Sequence, residues 1–263
     1  MSVRSAAVAG QFYPADPRTL AAAVDAYLEA VPPRGDPRSP KGVIAPHAGY
    51  IYSGPTAGHA FAALAGAGEA VERFVVVGPS HRVPVRGLAI PEADEFSTPL
   101  GKVRVDDELC RLLEELPQVT VDARAHRWEH SVEVELPFLQ QLFPEAAIVP
   151  LVVGSARAAE VAEALSVAWG DTETRIVVST DLSHYLSYER AVAVDRETAE
   201  TIASGSGVLT DDRACGARAV NGVLALAPRL GLRIELLDLR NSGDTAGDRE
   251  RVVGYGAFAF YES

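Results

Sequence analysis

The sequence has no long apolar run. No stretch approaches the roughly 20 residues of a membrane-spanning helix, so no membrane association is expected. Cysteine is scarce: there are two in 263 residues, Cys110 and Cys215, and neither sits in a C-x-x-C pair. That excludes a disulfide framework and a zinc ribbon and leaves two reduced, partly buried thiols. Positive charge is also in deficit. Lys and Arg total 24 against 36 Asp and Glu, a formal net charge of -12. Binding a polyanion needs clustered cations that displace counterions, so no nucleic acid is expected. Anionic membrane surfaces are disfavoured for the same reason. An anionic substrate stays compatible where a pocket carries local positive charge or a metal. The first residues, MSVRSAAVAGQFYPADP, lack the apolar segment of a signal peptide, and a cytoplasmic location is the default expectation. Neither a P-loop nor G-x-G-x-x-G occurs, which leaves a nucleotide site without support. The nucleophile elbow G-x-S-x-G is missing too, so a serine hydrolase is not indicated.

What is present is the material of an α/β fold. Hydrophobic residues make up 48% of the chain, enough to bury a sheet between helical layers. Short apolar runs alternate with longer amphipathic ones. The runs at 42–46, 73–79, 86–90, 146–154, 174–180, 232–239 and 252–260 read as strands. Several are continuous β-branched stretches, which suits strands buried on both faces. Helices are predicted over 17–30, 54–66, 106–115, 131–142, 156–168, 188–204 and 213–227. The first opens on Asp16-Pro17, an N-cap followed by Pro at the first helical position. The segment Pro32 to Pro40 reads as a surface connection. The alternation favours a single-domain, mixed and mostly parallel sheet with helices on both faces. Ligands then belong at the carboxyl ends of the strands.

Three strand ends carry unusual polar residues. The first run leads into His47-Ala48-Gly49-Tyr50, the second into Ser80-His81, and TRIVVST into Asp181-Leu182-Ser183-His184-Tyr185. The chain has six histidines, and three occupy this kind of position. Imidazole is a common ligand for iron, zinc, copper and nickel, so neighbouring strands would bring His47, His81 and His184 to one metal-type pocket. A lone His at a strand end is more often structural; the joint occurrence favours a site. Asp181 stands three residues before His184 and either orients that ring for proton transfer or caps a helix. His130 precedes the 131–142 helix, with Glu133 at a spacing that suits either a weak metal pair or a solvated acidic face. His59 and His126 read as structural or surface residues. At the other end of the chain, Asp244 in the turn-rich N-S-G-D-T-A-G-D loop supplies a carboxylate that two histidines would need as a third ligand.

The segments VAGQFYPADP, APHAGYIYSGPTAGHAF, VVVGPSH, EHSVEVELPFLQ, VSTDLSHY and NSGDTAGDRERVVGYGAFAF occur in this order over nearly the whole chain. Together they resemble the Memo family, whose bacterial and archaeal members are often called AmmeMemoRadiSam system protein B. The resemblance implies a fold similar to the catalytic subunit of class III extradiol dioxygenases, which hold Fe(II) with two histidines and a glutamate. Matched by motif, it sets the metal pair on His47 and His81. An acid–base or supporting histidine falls on His184 beside Asp181, a pocket tyrosine on Tyr52 or Tyr50, and a further pocket position near His130. Animal members carry a cysteine as third ligand in the C-terminal motif, and an ungapped match puts Thr245 there. The resemblance then implies either that neighbouring Asp244 replaces the thiolate or that the third position is empty. A carboxylate would harden the donor set and favour Fe(II), with Cu or Zn as alternatives.

Two functions follow. One is a non-haem iron oxygenase or related redox enzyme, with His47, His81 and Asp244 as ligands and His184 moving protons. The other is a non-catalytic module that binds a peptide or small molecule for the radical SAM and AMMECR1-like partner proteins for which the system is named. A metal-dependent hydrolase would use the same ligands.

Overall fold

Four runs rich in Val and Ile lie side by side at the centre of the molecule, and their residues are buried almost without exception. The computed structural model describes residues 2–33, 38–67 and 71–263. Its strands are β1 (Val3–Arg4), β2 (Gly42–Ala45), β3 (Arg73–Pro79), β4 (Leu88–Ile90), β5 (Glu95–Thr98), β6 (Gly101–Arg104), β7 (Val119–Val121), β8 (Ala147–Val153), β9 (Thr174–Ser179), β10 (His184–Leu186), β11 (Arg233–Asn241) and β12 (Val252–Tyr261). Its helices are α1 (Pro17–Glu29), α2 (Tyr50–Leu64), α3 (Asp107–Glu114), α4 (Ala123–Arg127), α5 (Leu136–Leu142), α6 (Ala158–Val167), α7 (Tyr188–Ala203) and α8 (Ala217–Leu230).

The main sheet runs β10-β12-β2-β9-β3-β8-β4-β7, with β11 on the free side of β12. Its centre, β2-β9-β3-β8, is parallel. Strands β12 and β4 join it antiparallel on either side. A separate small sheet holds β1, β5 and β6. Helices α1, α2 and α5 pack together, and α6 packs on α8, so the parallel centre is sheltered by helices as its apolar sequence requires. The result is a mixed α/β architecture flanked by helices, consistent with an extradiol dioxygenase-like fold.

All seven expected strands form, and their edges move by at most two residues. The short strands β1, β5, β6, β7 and β10 carry no apolar run long enough to announce them. Helix α2 begins at Tyr50 rather than 54, so Pro55 lies inside it. Gly58 lets this helix meet α1 closely: a Cβ there would stand 2.5 Å from the Tyr27 carbonyl oxygen. The segment expected as a helix from 131 starts instead with a turn, a 3-10 turn over Glu133–Glu135 and then α5. Ser131 is held out of the helix because its hydroxyl donates to Pro79 O at 2.8 Å. The helix expected from 213 begins at Ala217. Residues 34–37 of the expected 32–40 connection lie outside the described residues. Among the described residues, no helix is long and apolar enough to cross a membrane.

Candidate metal centre

Strand β9 lies between β2 and β3, all three parallel. Their carboxyl ends therefore emerge together, and the loops carrying His47, His81 and Asp181 start side by side. His130 joins them from the turn before α5. The ligand nitrogens of His47, His81 and His130 all lie within 4.8 Å of one another. The rings of His81 and His130 stack at 4.6 Å, and His47 meets each edge-on, at 5.2 and 5.4 Å between centroids. Phe12, from the N-terminal segment, covers His130 at 4.7 Å.

Two of the three rings are held from behind by hydrogen bonds. His47 Nδ1 lies 2.7 Å from Ser179 Oγ, and that hydroxyl donates its proton to Ser131 O at 2.6 Å. Nδ1 must then carry the hydrogen, which leaves the lone pair on Nε2. His81 Nδ1 lies 2.8 Å from Glu129 Oε1, and the His81 backbone N–H donates to Glu129 Oε2 at 2.5 Å. Glu129 also accepts the N–H groups of His130 and Ser131. Burial opposes its charge, but the His81 side chain and these backbone donors prevail and bring its pKa down to about 2. It is a carboxylate at any ordinary pH, so His81 presents Nδ1–H to it and Nε2 to the cluster. His130 Nδ1 is buried without a hydrogen-bond partner. Burial is the main force lowering its pKa to about 4, and burial with the neighbouring imidazoles holds His47 well below the ordinary range. Both rings are neutral near pH 7, the form that binds metals.

A cavity of about 690 Å³ opens over the cluster and is also lined by Asp181, His184, Tyr185, Arg190 and Cys215. Asp181 Oδ1 accepts the backbone N–H groups of His47 and Ala48, at 2.9 and 3.3 Å. Burial raises its carboxyl to about 6, partly offset by His184 and these donors. His184 Nδ1 lies 2.8 Å from Leu182 O, so it donates there and turns Nε2 outward. Tyr185 beside it adopts φ 59°, a left-handed conformation for a non-glycine residue, at the cavity wall.

Cys215 contributes a group that sequence reasoning passed over. Its Sγ lies 3.3 Å from His47 Nε2. It immediately precedes Gly216, the N-cap of α8, and the Asp181 backbone N–H points at its sulfur at 3.3 Å. Burial, with the Asp181 charge second, pushes the thiol up to about 12. A bound cation would reverse that by favouring the thiolate. The strand-end rule could not find Cys215 because it leads a helix. Its signal was a half-hidden thiol in D-D-R-A-C-G-A, where small residues let other chain segments approach.

Other expected site residues lie elsewhere. The structure does not bring Asp244 to the cluster: its carboxylate accepts the Tyr188 hydroxyl at 2.6 Å and the Asn241 backbone N–H at 3.0 Å. It closes a capping box on the 3-10 turn Ser242–Asp244, so the turn chemistry of the loop consumes it. Tyr52 lies in the first turn of α2 with its ring against Gly49, outside the residues that line the cavity. Tyr50 is buried and donates to Val134 O at 2.8 Å. Glu133 does not face the cluster either; Arg4, Tyr13 and the backbone of Ala7 and Val8 occupy its carboxylate. His126 is buried against Ala89 O, and His59 lies near Asp238.

The family model for Memo-like protein matches residues 4–259. The chain belongs to the Memo family. A MEMO1 family protein of Archaeoglobus fulgidus is 37% identical to this Memo-family chain, over 98% of the chain and 99% of the relative. One of Sulfolobus acidocaldarius is 35% identical, covering 96% and 97%. Among solved structures, an uncharacterized protein of Escherichia coli K12, JW3007, superposes with a TM-score of 0.54 at 16% identity, over 83% of this chain and 99% of that one. At that identity the likeness bears on the fold of the Memo chain alone.

The donor set fits a metal ion. Converging neutral imidazoles with Nδ1 held from behind are the usual form of metal-ligating histidines. His130 Nδ1, 3.3 Å from Glu129 Oε1 but in no aligned hydrogen bond, and the thiol beside His47 Nε2 add donors that the protein satisfies only in part.

Proposed function

We propose that this Memo-family chain is a metal-dependent oxidoreductase acting on a small molecule, with a non-haem metal centre at the ends of β2, β3 and β9. The observation that carries this reading is the convergence of three imidazoles within 4.8 Å, with the Cys215 sulfur 3.3 Å from one of them. His47 and His81 would hold the ion through Nε2, and Cys215 or His130 would complete the set. With a thiolate the donors are softer than two imidazoles and a carboxylate, so Cu(I) and Zn(II) compete with Fe(II) on chemical grounds. Redox or oxygenase-type chemistry needs a metal that changes oxidation state, which disfavours Zn(II) and leaves iron and copper; Fe(II) remains the proposed ion on the family's likeness to the extradiol dioxygenases. Such an ion, when bound, would supply electron transfer and polarise a coordinated substrate atom.

The chain's own groups would then handle protons and binding. His184 Nε2, free and facing the cavity, would take or deliver a proton at the substrate. Asp181, fixed by two backbone donors, would tune the charge around it and hold the His47 loop in place. Arg190 at the cavity wall would draw in an anionic group despite the acidic surface.

Elemental analysis of protein purified without chelator, followed by anaerobic reconstitution with Fe(II), tests this reading. Stoichiometric metal in the native protein and loss of binding in His47→Ala are the expected results. Equal binding by His47→Ala would overturn it.

A further inference from the structure

Arg4, at the end of β1, is 7% exposed, and all three nitrogens of its guanidinium are engaged. Nε donates to His126 O at 2.9 Å and Nη2 to Glu129 O at 2.5 Å, while Nη1 meets the Glu133 carboxylate. These acceptors lie at the start, middle and end of one stretch of chain, residues 126–133. A planar guanidinium presents its donors in a fixed fork, so bonds at three points set the stretch in orientation as well as position. The Phe96 ring, 5.2 Å from the guanidinium carbon, adds a cation–π contact.

Glu133 makes the grip two-sided. Its exposure is 0%. Besides Arg4 it accepts the Ala7 N–H at 2.8 Å, the Val8 N–H at 3.0 Å and the Tyr13 hydroxyl at 2.5 Å. Residues 4–13 and 126–133 are therefore tied into one hydrogen-bonded body. Between Val8 and Tyr13 the chain turns tightly: Gly10 adopts φ 79°, and the N–H groups of Gln11 and Phe12 donate to Val8 O at 3.0 and 2.9 Å. That turn delivers the Phe12 ring to His130 at 4.7 Å, and Phe12 O accepts the Tyr50 N–H at 2.7 Å.

The gripped stretch carries two groups of the cluster. Glu129, whose carbonyl oxygen Arg4 holds, sets the His81 ring through Oε1. His130 follows it directly and brings a ligand nitrogen. No aligned hydrogen bond holds His130 Nδ1. The place of that ring is therefore decided by the backbone on either side of it and by its contacts with Phe12 and His81.

We propose that Arg4 is a positioning residue of the metal centre: by fixing residues 126–133 against the N-terminal segment, it sets the His130 ring and the Glu129 carboxylate behind His81. This rests on reading the cluster as a metal site. Were Arg4 a buried charge partner of Glu133 and nothing more, its loss would cost stability and leave the folded site as it was. Two variants draw that distinction without stranding a buried carboxylate. Arg4→Lys keeps the cation beside Glu133 but replaces the fork with a single ammonium. Arg4→Met combined with Glu133→Gln removes both charges together.

Zn(II) competition against a chelator reads affinity, and ¹H–¹⁵N correlation of the imidazole nitrogens in metal-free protein reads each ring. Both variants are expected to bind Zn(II) about tenfold or more weakly, as for other lost support around a metal histidine. The His130 signals should move, whereas those of His184, tied to Leu182 O outside the gripped stretch, should stay. Combined with His130→Ala, each variant should lose less affinity than it does alone, because part of its effect runs through that ring. Wild-type affinity in either folded variant, or unmoved His130 signals, would overturn the proposal. So would full additivity with His130→Ala, or a shift that reaches His184 as strongly as His130. If wild type fails to bind Zn(II), the metal reading falls, while the ring signals still decide the role of Arg4.

Discussion

Glu129 reaches both ends of His81, taking the ring through Oε1 at 2.8 Å and the backbone N–H through Oε2 at 2.5 Å. One carboxylate thus fixes the tautomer of the imidazole and the path of the loop that bears it. Glu129→Gln should weaken metal binding about 10–100-fold, measured by competition against a chelator. The folded pKa of about 2 lies below the ordinary carboxylate value. Its contribution to stability is therefore complete above about pH 4.5 and is lost as pH falls toward 2. Above pH 5 the defect of the glutamine variant should not depend on pH. A defect that appears only on acidification would contradict this account.

Cys215 offers a spectroscopic test. In Co(II)-loaded protein a bound thiolate gives a near-ultraviolet charge-transfer band. That band should be present in wild type and missing from Cys215→Ser, with metal affinity reduced by about a hundredfold or more, beyond the loss expected for a group that only supports a ligand. A Cys215→Ser protein that binds as tightly as wild type would show that His130 completes the donor set without the sulfur.

Asp244 should behave oppositely. Asp244→Ala removes half of a capping box and the partner of the Tyr188 hydroxyl. The expected cost is a few tenths to about 1 kcal/mol of stability, with metal affinity unchanged. Denaturant melts and a metal titration on the same sample check both halves. The contrast also marks how far the sequence was readable. The parallel centre was legible because its strands are continuous β-branched runs, and His47, His81 and Asp181 were legible because they follow those runs directly. Cys215 and Glu129 were not, since their approach depends on where α8 and the turn before α5 pack. Asp244 looked available because chain order does not reveal that Asn241 and Tyr188 already hold it.

His126 should make the protein sensitive to mild acid from outside the metal centre. It is 2% exposed, and its Nε2 lies 3.0 Å from Ala89 O. Burial is the main cause of its low pKa, about 4 against an ordinary 6.5. The unfolded chain binds this proton more readily than the folded one. Stability from His126 is therefore complete above about pH 6.5 and is lost as pH falls toward 4. One pKa unit corresponds to about 1.4 kcal/mol, so the loss is on the order of 3 kcal/mol. Chemical denaturation of metal-free protein across this range should show the slope. His126→Gln should flatten it, although His47 and His130 leave part of it in place. An unchanged slope in His126→Gln would assign the effect to those two rings.

The insertion of β9 between β2 and β3 also sets the order in which the molecule can be completed. During synthesis the segments bearing His47 and His81 emerge early, yet the strand that spaces them comes only with residues 174–179. Cys215 follows later still. Contacts this distant along the chain form slowly, because loop closure must precede the pairing that rewards it. The emerging chain can bring His81 and His130 together through Glu129, but the strand that spaces His47 from them is made only afterwards. The three-imidazole cluster is complete only once the sheet has closed.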